Sequence, residues 1–261
     1  VKIISNKTNL GSATTRNIGL SNATGDYVMF ADSDDWVESN YVELMVNTIE
    51  ASEKDIVYCD YYESFKDQDK YVKQDYGEEH LECICSMLTR AMHGSTWNKI
   101  FRRKILLQSN LTFVDGADLF EDVGWNVRLF AYTNRIGYLP LAFYHYIQYN
   151  DNSIIKSMSS AVFSRKRALQ RIENVRVACE YLTSLGLESR LSIGMKEWKL
   201  MAKNDLIDEK DDSSLQTWVE TFPEADSAIL ACNKITWKYK LLLICLHYRV
   251  YWLYHLLQKI R

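Results

Sequence analysis

The stretch that most limits what this chain can fold into is Tyr27-Val28-Met29-Phe30-Ala31, followed at once by Asp32-Ser33-Asp34-Asp35-Trp36. The apolar run reads as a strand with both faces covered, as in sheets flanked by helices. Ahead of it, residues 12–25 predict a helix. Ala13, Arg16, Asn17 and Leu20 fall at helical spacing and Gly25 supplies a stop. Val1–Ile4 reads as one more short strand. Beyond the acidic loop, Asn40 and Glu43 have capping-box spacing, and Val42, Met45, Val46 and Ile49 form an apolar stripe. Residues 55–62, Asp-Ile-Val-Tyr-Cys-Asp-Tyr-Tyr, are β-branched and aromatic, as in a strand. This alternation predicts an α/β sheet.

After residue 78 helical patterns dominate. Residues 80–89 and 120–133 read as helices, 95–110 as a turn or short strand leading into a helix, and 135–148 as a strand. A long helix is expected over Ser159–Leu185, with Val162, Leu169, Ile172, Val175, Cys179 and Leu182 as its stripe and Gly186 as its stop. More helix follows, with a polar loop near 208–214. Two parts are therefore expected, 1–157 and a helical region 158–261. The apolar fraction of 47% supplies a core for both. The six cysteines form no CxxC pair and sit in no His-rich spacing, which predicts reduced thiols, no zinc site and a cytoplasmic protein. No leader pattern is read at Val1.

Charge is unevenly spread. Residues 235–261 carry Lys238, Lys240, Arg249, Lys259 and Arg261 and no acid, so this tail is +5 while the rest of the chain is −8. A basic aromatic tail on an acidic body points to a membrane surface or an anionic partner and away from general nucleic-acid binding. Its apolar runs, 241–248 and 250–257, fall short of the ~20 residues a spanning helix needs. As one helix it would place Lys238, Arg249 and Lys259 on a narrow stripe. That suits either a peripheral contact with the inner leaflet or packing on the domain or a second subunit.

Ligands of open α/β sheets sit at the carboxyl ends of strands. A strand ending in Asp32-x-Asp34 aims hard oxygen ligands there, suited to Mn²⁺ or Mg²⁺ and, through them, to a diphosphate. The plainer reading is a solvated acidic turn. Likewise Glu121-Asp122 is either a base-bearing pair or two acids favoured by a helix N-terminus.

The ordered set Asn9, Gly11, Arg16, Asn17, Gly25, Asp26, Asp32, Asp34, Asp35 and Trp36 resembles the family 2 glycosyltransferases of GT-A fold, a Rossmann-like nucleotide-diphospho-sugar transferase architecture. Trp97-Asn98-Lys99-Ile100, the Glu121-Asp122 pair and the Tyr144-His145-Tyr146 segment extend the resemblance through about residues 5–157. Thr15 departs from the family's usual Ala. The family's opening strand, its Tyr-Asn turn and its Asp-Asp-Gly-Ser strand end are not present, so an N-terminally truncated domain is expected.

The resemblance implies a nucleotide-sugar donor, UDP-linked by expectation, and inverting transfer to a glycan or lipid-linked acceptor in capsule or exopolysaccharide synthesis. It assigns Asp34 and Asp32 to the metal, and Asn9, Gly11, Arg16 and Asp32 to the donor nucleotide; Arg16 instead, or as well, forms a salt bridge to the Asp cluster. Asp35 is an auxiliary carboxylate or an N-cap-like surface acid, Asp122 is the general base, and Glu121 orients Asp122 or touches the acceptor. Trp97 lines the acceptor side or belongs to the core, and Lys99 meets diphosphate, acceptor or a surface carboxylate. His145 is either a late metal or phosphate contact or a structural residue. Two other readings stay open: an inactive remnant that binds through its tail, and a nucleotidyltransferase.

Overall fold

The computed structural model describes residues 1–150, 165–208 and 211–259, which form two compact units, Val1–Val162 and Phe163–Arg261. The boundary expected after residue 157 and the helix expected to begin at Ser159 lie outside the described residues.

The N-terminal unit is a six-stranded sheet flanked by helices. Its elements are α1 (Gly11–Asn22), β1 (Tyr27–Met29), β2 (Trp36–Val37), α2 (Tyr41–Ala51), β3 (Ile56–Ser64), β4 (Asp69–Val72), α3 (His80–Leu88), β5 (Lys99–Arg102), α4 (Arg103–Ser109), α5 (Glu121–Tyr132) and β6 (Ile136–Ile147). The strand order is β1-β5-β3-β6-β2, and β4 takes the β5-side edge of β3 beyond β5. Only β3 and β6 run parallel; every other pairing is antiparallel. Pro140 and Leu141 bulge out of β6 between the pairs Cys59–Leu139 and Asp60–Ala142. Proline has no N–H to give a ladder, so a bulge is where it costs least.

Tyr41, Met45 and Ile49 of α2 pack on Val57, Cys59 and Tyr61 of β3 and on Phe143 and Tyr144 of β6. A second aromatic group joins Phe30, Phe101, Phe113 and Trp125, whose rings meet edge-on or stacked with centroids 4.8 to 6.1 Å apart. This group ties β1 and β5 to α5.

Four local expectations are corrected. Val1–Ile4 is exposed and has no regular structure, because no neighbouring strand pairs with it. The first helix ends at Asn22, not Gly25. The strand before the acidic loop is three residues long and half-buried, since β5 meets it antiparallel as an edge of the sheet. Asn40 makes no side-chain cap to α2; the cap of this kind in the unit is Glu79, which accepts from Glu82 N at the start of α3.

The C-terminal unit contains α6 (Arg165–Ser184), α7 (Glu188–Asn204), α8 (Asp212–Glu220), a 3-10 turn (Pro223–Ala228), α9 (Trp237–His247) and α10 (Tyr251–Lys259). Gly186, at φ +71°, ends the turn after α6 as its sequence position predicts. Leu200, Leu215, Trp218, Cys232, Leu243, Leu246 and Tyr254 share one core. The tail is two helices rather than one, broken where Arg249 takes φ +57°. Lys240 is buried against the Leu230 carbonyl, and the break at Arg249 interrupts the single-helix stripe expected of Lys238, Arg249 and Lys259. All six cysteines are free.

Candidate active site

Arg16 is the centre of the site. It projects from α1, one turn after Ser12 and Ala13, and is 15% exposed. Its Nη2 meets Asp32 Oδ1 at 3.2 Å, and its Nη1 meets Glu121 Oε1 and Asp122 Oδ1, each at 2.8 Å. One guanidinium thus joins the acidic loop after β1 to the first turn of α5. The two acidic clusters that the sequence holds apart are brought onto a single cation. Five fixed N–H donors let arginine do this where lysine could not.

Contacts at the middle and at the start of α1 hold Arg16 in place. Asn17 Nδ2 donates to the Phe113 carbonyl, and Phe113 N–H donates back to Asn17 Oδ1, each at 2.9 Å. At the helix start, Asp118 Oδ1 accepts from Ala13 N–H at 3.0 Å and from Ser12 Oγ at 3.3 Å. Ser12 Oγ also lies 2.8 Å from Glu121 Oε1. Asp118 therefore caps α1 from another part of the chain. Gly11 permits this approach: at φ +81°, with a Cβ that would fall 2.2 Å from the Asp118 carboxylate, no other residue fits. Asn9 Oδ1 accepts from Gly11 N–H at 2.9 Å and shapes the same turn. Asn9 and Gly11 thus order the start of α1.

The acidic loop divides its labour. Asp35 turns inward, accepting from Ile147 N–H at 2.9 Å and Tyr144 Oη at 2.7 Å. Tyr144 Oη in turn accepts from Asp32 N–H at 3.0 Å. Asp35 is the loop's anchor to β6 and not a solvated surface acid. Asp34 stays exposed, with Oδ2 on Asn150 Nδ2 at 2.8 Å, and Asp32 is 38% exposed. Trp36 pairs with His145 across β2 and β6 and stacks on its ring, 3.5 Å between centroids at 13°. Tyr62, from the strand on the other side, stacks on the same ring at 4.6 Å. His145 Nδ1 meets Ser64 Oγ at 2.9 Å and Nε2 meets Glu38 Oε1 at 3.2 Å. With both nitrogens engaged and 3% exposure, His145 takes the structural reading.

Trp97 and Lys99, expected on the acceptor side, are both buried. Trp97 is 3% exposed and stacks on Tyr144 at 4.4 Å. Lys99 is fully buried, and its ammonium donates to the His93 and Ser95 carbonyls and to Asn98 Oδ1 at 2.6 to 3.3 Å. Lys99 opens β5 and Trp97 lies in the turn just before it, and both side chains are buried. Burial pushes the Lys99 ammonium down to about 7, against the pull of Asp122.

Burial raises the Asp122 carboxyl to about 7; Arg16 opposes this, while Glu121 and Asp32 add to it. Burial raises Glu121 too, against Arg16 and Ser12. Arg16 is held charged: burial disfavours its charge, and Asp122, Glu121 and Asp32 outweigh that. A carboxyl poised near neutrality beside a cation is equipped to accept a proton at physiological pH. Asp32 and Asp34 offer accessible oxygens only, which fits a hard divalent cation. Among the described residues no three His, Cys, Asp or Glu side chains gather as metal ligands.

Residues 1–108 match the glycosyl transferase family 2 model. Over 170 residues the chain is 31% identical to the putative glycosyltransferase EpsH of Bacillus subtilis, covering 62% of this chain and 48% of EpsH. It is 27% identical to glycosyltransferase GlyA of Streptococcus pneumoniae over 71% of this chain and 27% of GlyA. The chain thus spans about half or less of the length of these relatives. Staphylococcus aureus TarS 1–349, in a crystal structure with UDP-GlcNAc, superposes with a TM-score of 0.55 over 99% of this chain and 74% of that one, at 16% identity. Motif order, sheet and comparisons agree on a GT-A fold followed by a helical C-terminal region, with residues 1–108 matching glycosyl transferase family 2.

Proposed function

We propose that the N-terminal unit transfers a sugar from a nucleoside-diphosphate sugar to a hydroxyl of a glycan or lipid-linked glycan, with inversion. The observation that carries this is Arg16 holding a strand-end carboxylate, Asp32, and a buried carboxyl poised near neutrality, Asp122, on one guanidinium. The relatives EpsH and GlyA support sugar transfer, and the UDP-GlcNAc complex of TarS supports the donor class.

In this reading Asp32 and Asp34 hold Mn²⁺ or Mg²⁺. That ion, when bound, offsets the negative charge gathering on the departing diphosphate. Asp122 accepts the acceptor hydroxyl's proton as that oxygen attacks the anomeric carbon from the face opposite the diphosphate, so the configuration inverts. A sugar hydroxyl is a weak nucleophile, and a positioned base contributes about 10²–10⁴-fold. Glu121, sharing Arg16 with Asp122, keeps the guanidinium charged and oriented. Arg16 fixes the distance between the donor and acceptor sides. Asn9 and Gly11 act on the donor side by ordering the first turn of α1. The setting is cell-surface polysaccharide synthesis on the cytoplasmic side of the membrane, with the enzyme peripheral to it.

Titration calorimetry of UDP with Mn²⁺ tests the donor half. Metal-dependent binding to this chain that disappears in Asp34→Ala is the expected result. Binding that survives Asp34→Ala unchanged, or binding equally strong in EDTA, would overturn the metal assignment. Absence of any UDP binding would remove the donor proposal for this chain and favour a remnant that only binds.

A further inference from the structure

The break at Arg249 changes what the tail can do. In α9, Trp237 and Leu241 lie one turn apart, and Tyr248 follows two turns later on the same side. Trp237 is 64% exposed, Leu241 39% and Tyr248 71%. In α10, Trp252 and Leu256 are again one turn apart and exposed by 71% and 49%. The opposite sides of both helices are spent on one core: Leu242, Leu243 and Leu246 from α9 and Tyr254 from α10. Both aromatic stripes therefore face away from the unit's interior.

Cations accompany these stripes. Lys238 adjoins Trp237, Arg249 adjoins Tyr248, and Lys259 lies one turn beyond Leu256; all three are exposed. Two acids contact these helices through their histidines. Asp226 is buried and pairs with Lys203 and His247, and Asp212 pairs with His255 at 3.2 Å on the flank of α10. Among the described residues no helix is long and apolar enough to cross a membrane.

We infer that α9 and α10 together form a docking surface for an anionic lipid bilayer, with the aromatic stripes in the headgroup region and the three cations on lipid phosphates. Tryptophan and tyrosine favour that depth because one end is apolar and the other polar. Three cations add attraction to an anionic leaflet. A second copy of the chain fits less well: an isologous contact would set this basic face against itself. This rests on the tail's own geometry and stands or falls separately from the sugar-transfer reading.

The test is co-sedimentation of the chain with vesicles of phosphatidylcholine alone and of phosphatidylcholine mixed with phosphatidylglycerol. Binding to the mixed vesicles, weakened by salt, is expected. The triple variant Lys238→Glu/Arg249→Glu/Lys259→Glu should lower it by at least about two orders of magnitude, the loss of three cations at roughly fivefold each near the surface. Trp237→Ala/Trp252→Ala should also lower it. Lys7→Glu/Lys66→Glu/Lys104→Glu, the same charge change on exposed residues of the other unit, should leave it as it was. Circular dichroism on each variant establishes that the helices persist. Equal binding to both vesicle types, or equal loss in the control triple variant, overturns the inference. So does a concentration-dependent dimer that Trp237→Ala/Trp252→Ala dissolves in the absence of vesicle binding. UDP binding measured on the same samples separates this outcome from the fate of the donor site.

Discussion

Each unit of this protein buries a cation among carboxylates, and the two clusters are balanced differently. In the C-terminal unit Lys203 is fully buried and meets Asp226, itself 3% exposed, at 2.5 Å. Its ammonium also donates to the Thr221 carbonyl at 3.0 Å and lies 3.8 Å from the Trp218 ring centroid. Asp226 also meets His247 Nδ1 at 2.8 Å, so one carboxylate is shared by a lysine and an imidazole, and an aromatic face covers the lysine. In the N-terminal unit Arg16 faces three carboxylates, and all four groups keep some exposure. The matched pair can only support structure. The unmatched set leaves negative charge in excess and a carboxyl near neutrality, which is what a site that binds and moves protons needs.

The largest effect that would break this contrast is chemical. Asp122→Asn should lower sugar transfer by about 10²–10⁴-fold and leave the melting temperature equal or higher, because it removes a carboxylate that its neighbours disfavour. A large loss of stability without loss of transfer would make Asp122 structural. The pH dependence follows from the same group. Its folded pKa, about 7, stands above the ordinary Asp value, so between about 4 and 7 the folded state holds the proton more tightly than the unfolded one. The stability this group contributes is therefore full at low pH and lost as pH rises through about 7. Chemical denaturation should show Asp122→Asn gaining on the parent across that window, while parent activity rises over it as the base ionises.

Next in size is the matched pair. Lys203→Met should cost about 3–5 kcal/mol by leaving Asp226 without its lysine, and Lys203→Met/Asp226→Leu should recover most of that. If the double variant were as unstable as the single one, the pair would be valued for something other than charge balance. Arg16→Met should cost less, about 1–3 kcal/mol, because water reaches its partners. Its deficit should shrink on acidification as Asp122 and Glu121 take up protons. Asp118→Ala should cost about 1 kcal/mol, the worth of a helix cap. It should also loosen Arg16, read as weaker coupling between Arg16→Met and Asp122→Asn in a double-mutant cycle.

The site was legible in part. Arg16, Asp32 and the Glu121-Asp122 pair stand out in the sequence by type and order, and the structure brings them together. Trp97 and Lys99 stand in a motif of equal clarity, yet both are buried. Asp35 is indistinguishable from Asp34 in the sequence; the hydroxyl of Tyr144 and the amide of Ile147 make one an anchor while the other stays exposed. Asp118 could not have been found: it acts on a helix more than a hundred residues earlier, and its one trace is a glycine at position 11.

The sequence by itself determined the element types, the helical character of the second half and the two acidic clusters, because periodicity and residue chemistry are local properties. Only the tertiary structure decided that β1 and β5 pair antiparallel, that the tail breaks at Arg249, and that one arginine serves both clusters. Strand direction, burial of a cation and the sharing of a guanidinium depend on which distant segments meet, and no local pattern encodes that meeting.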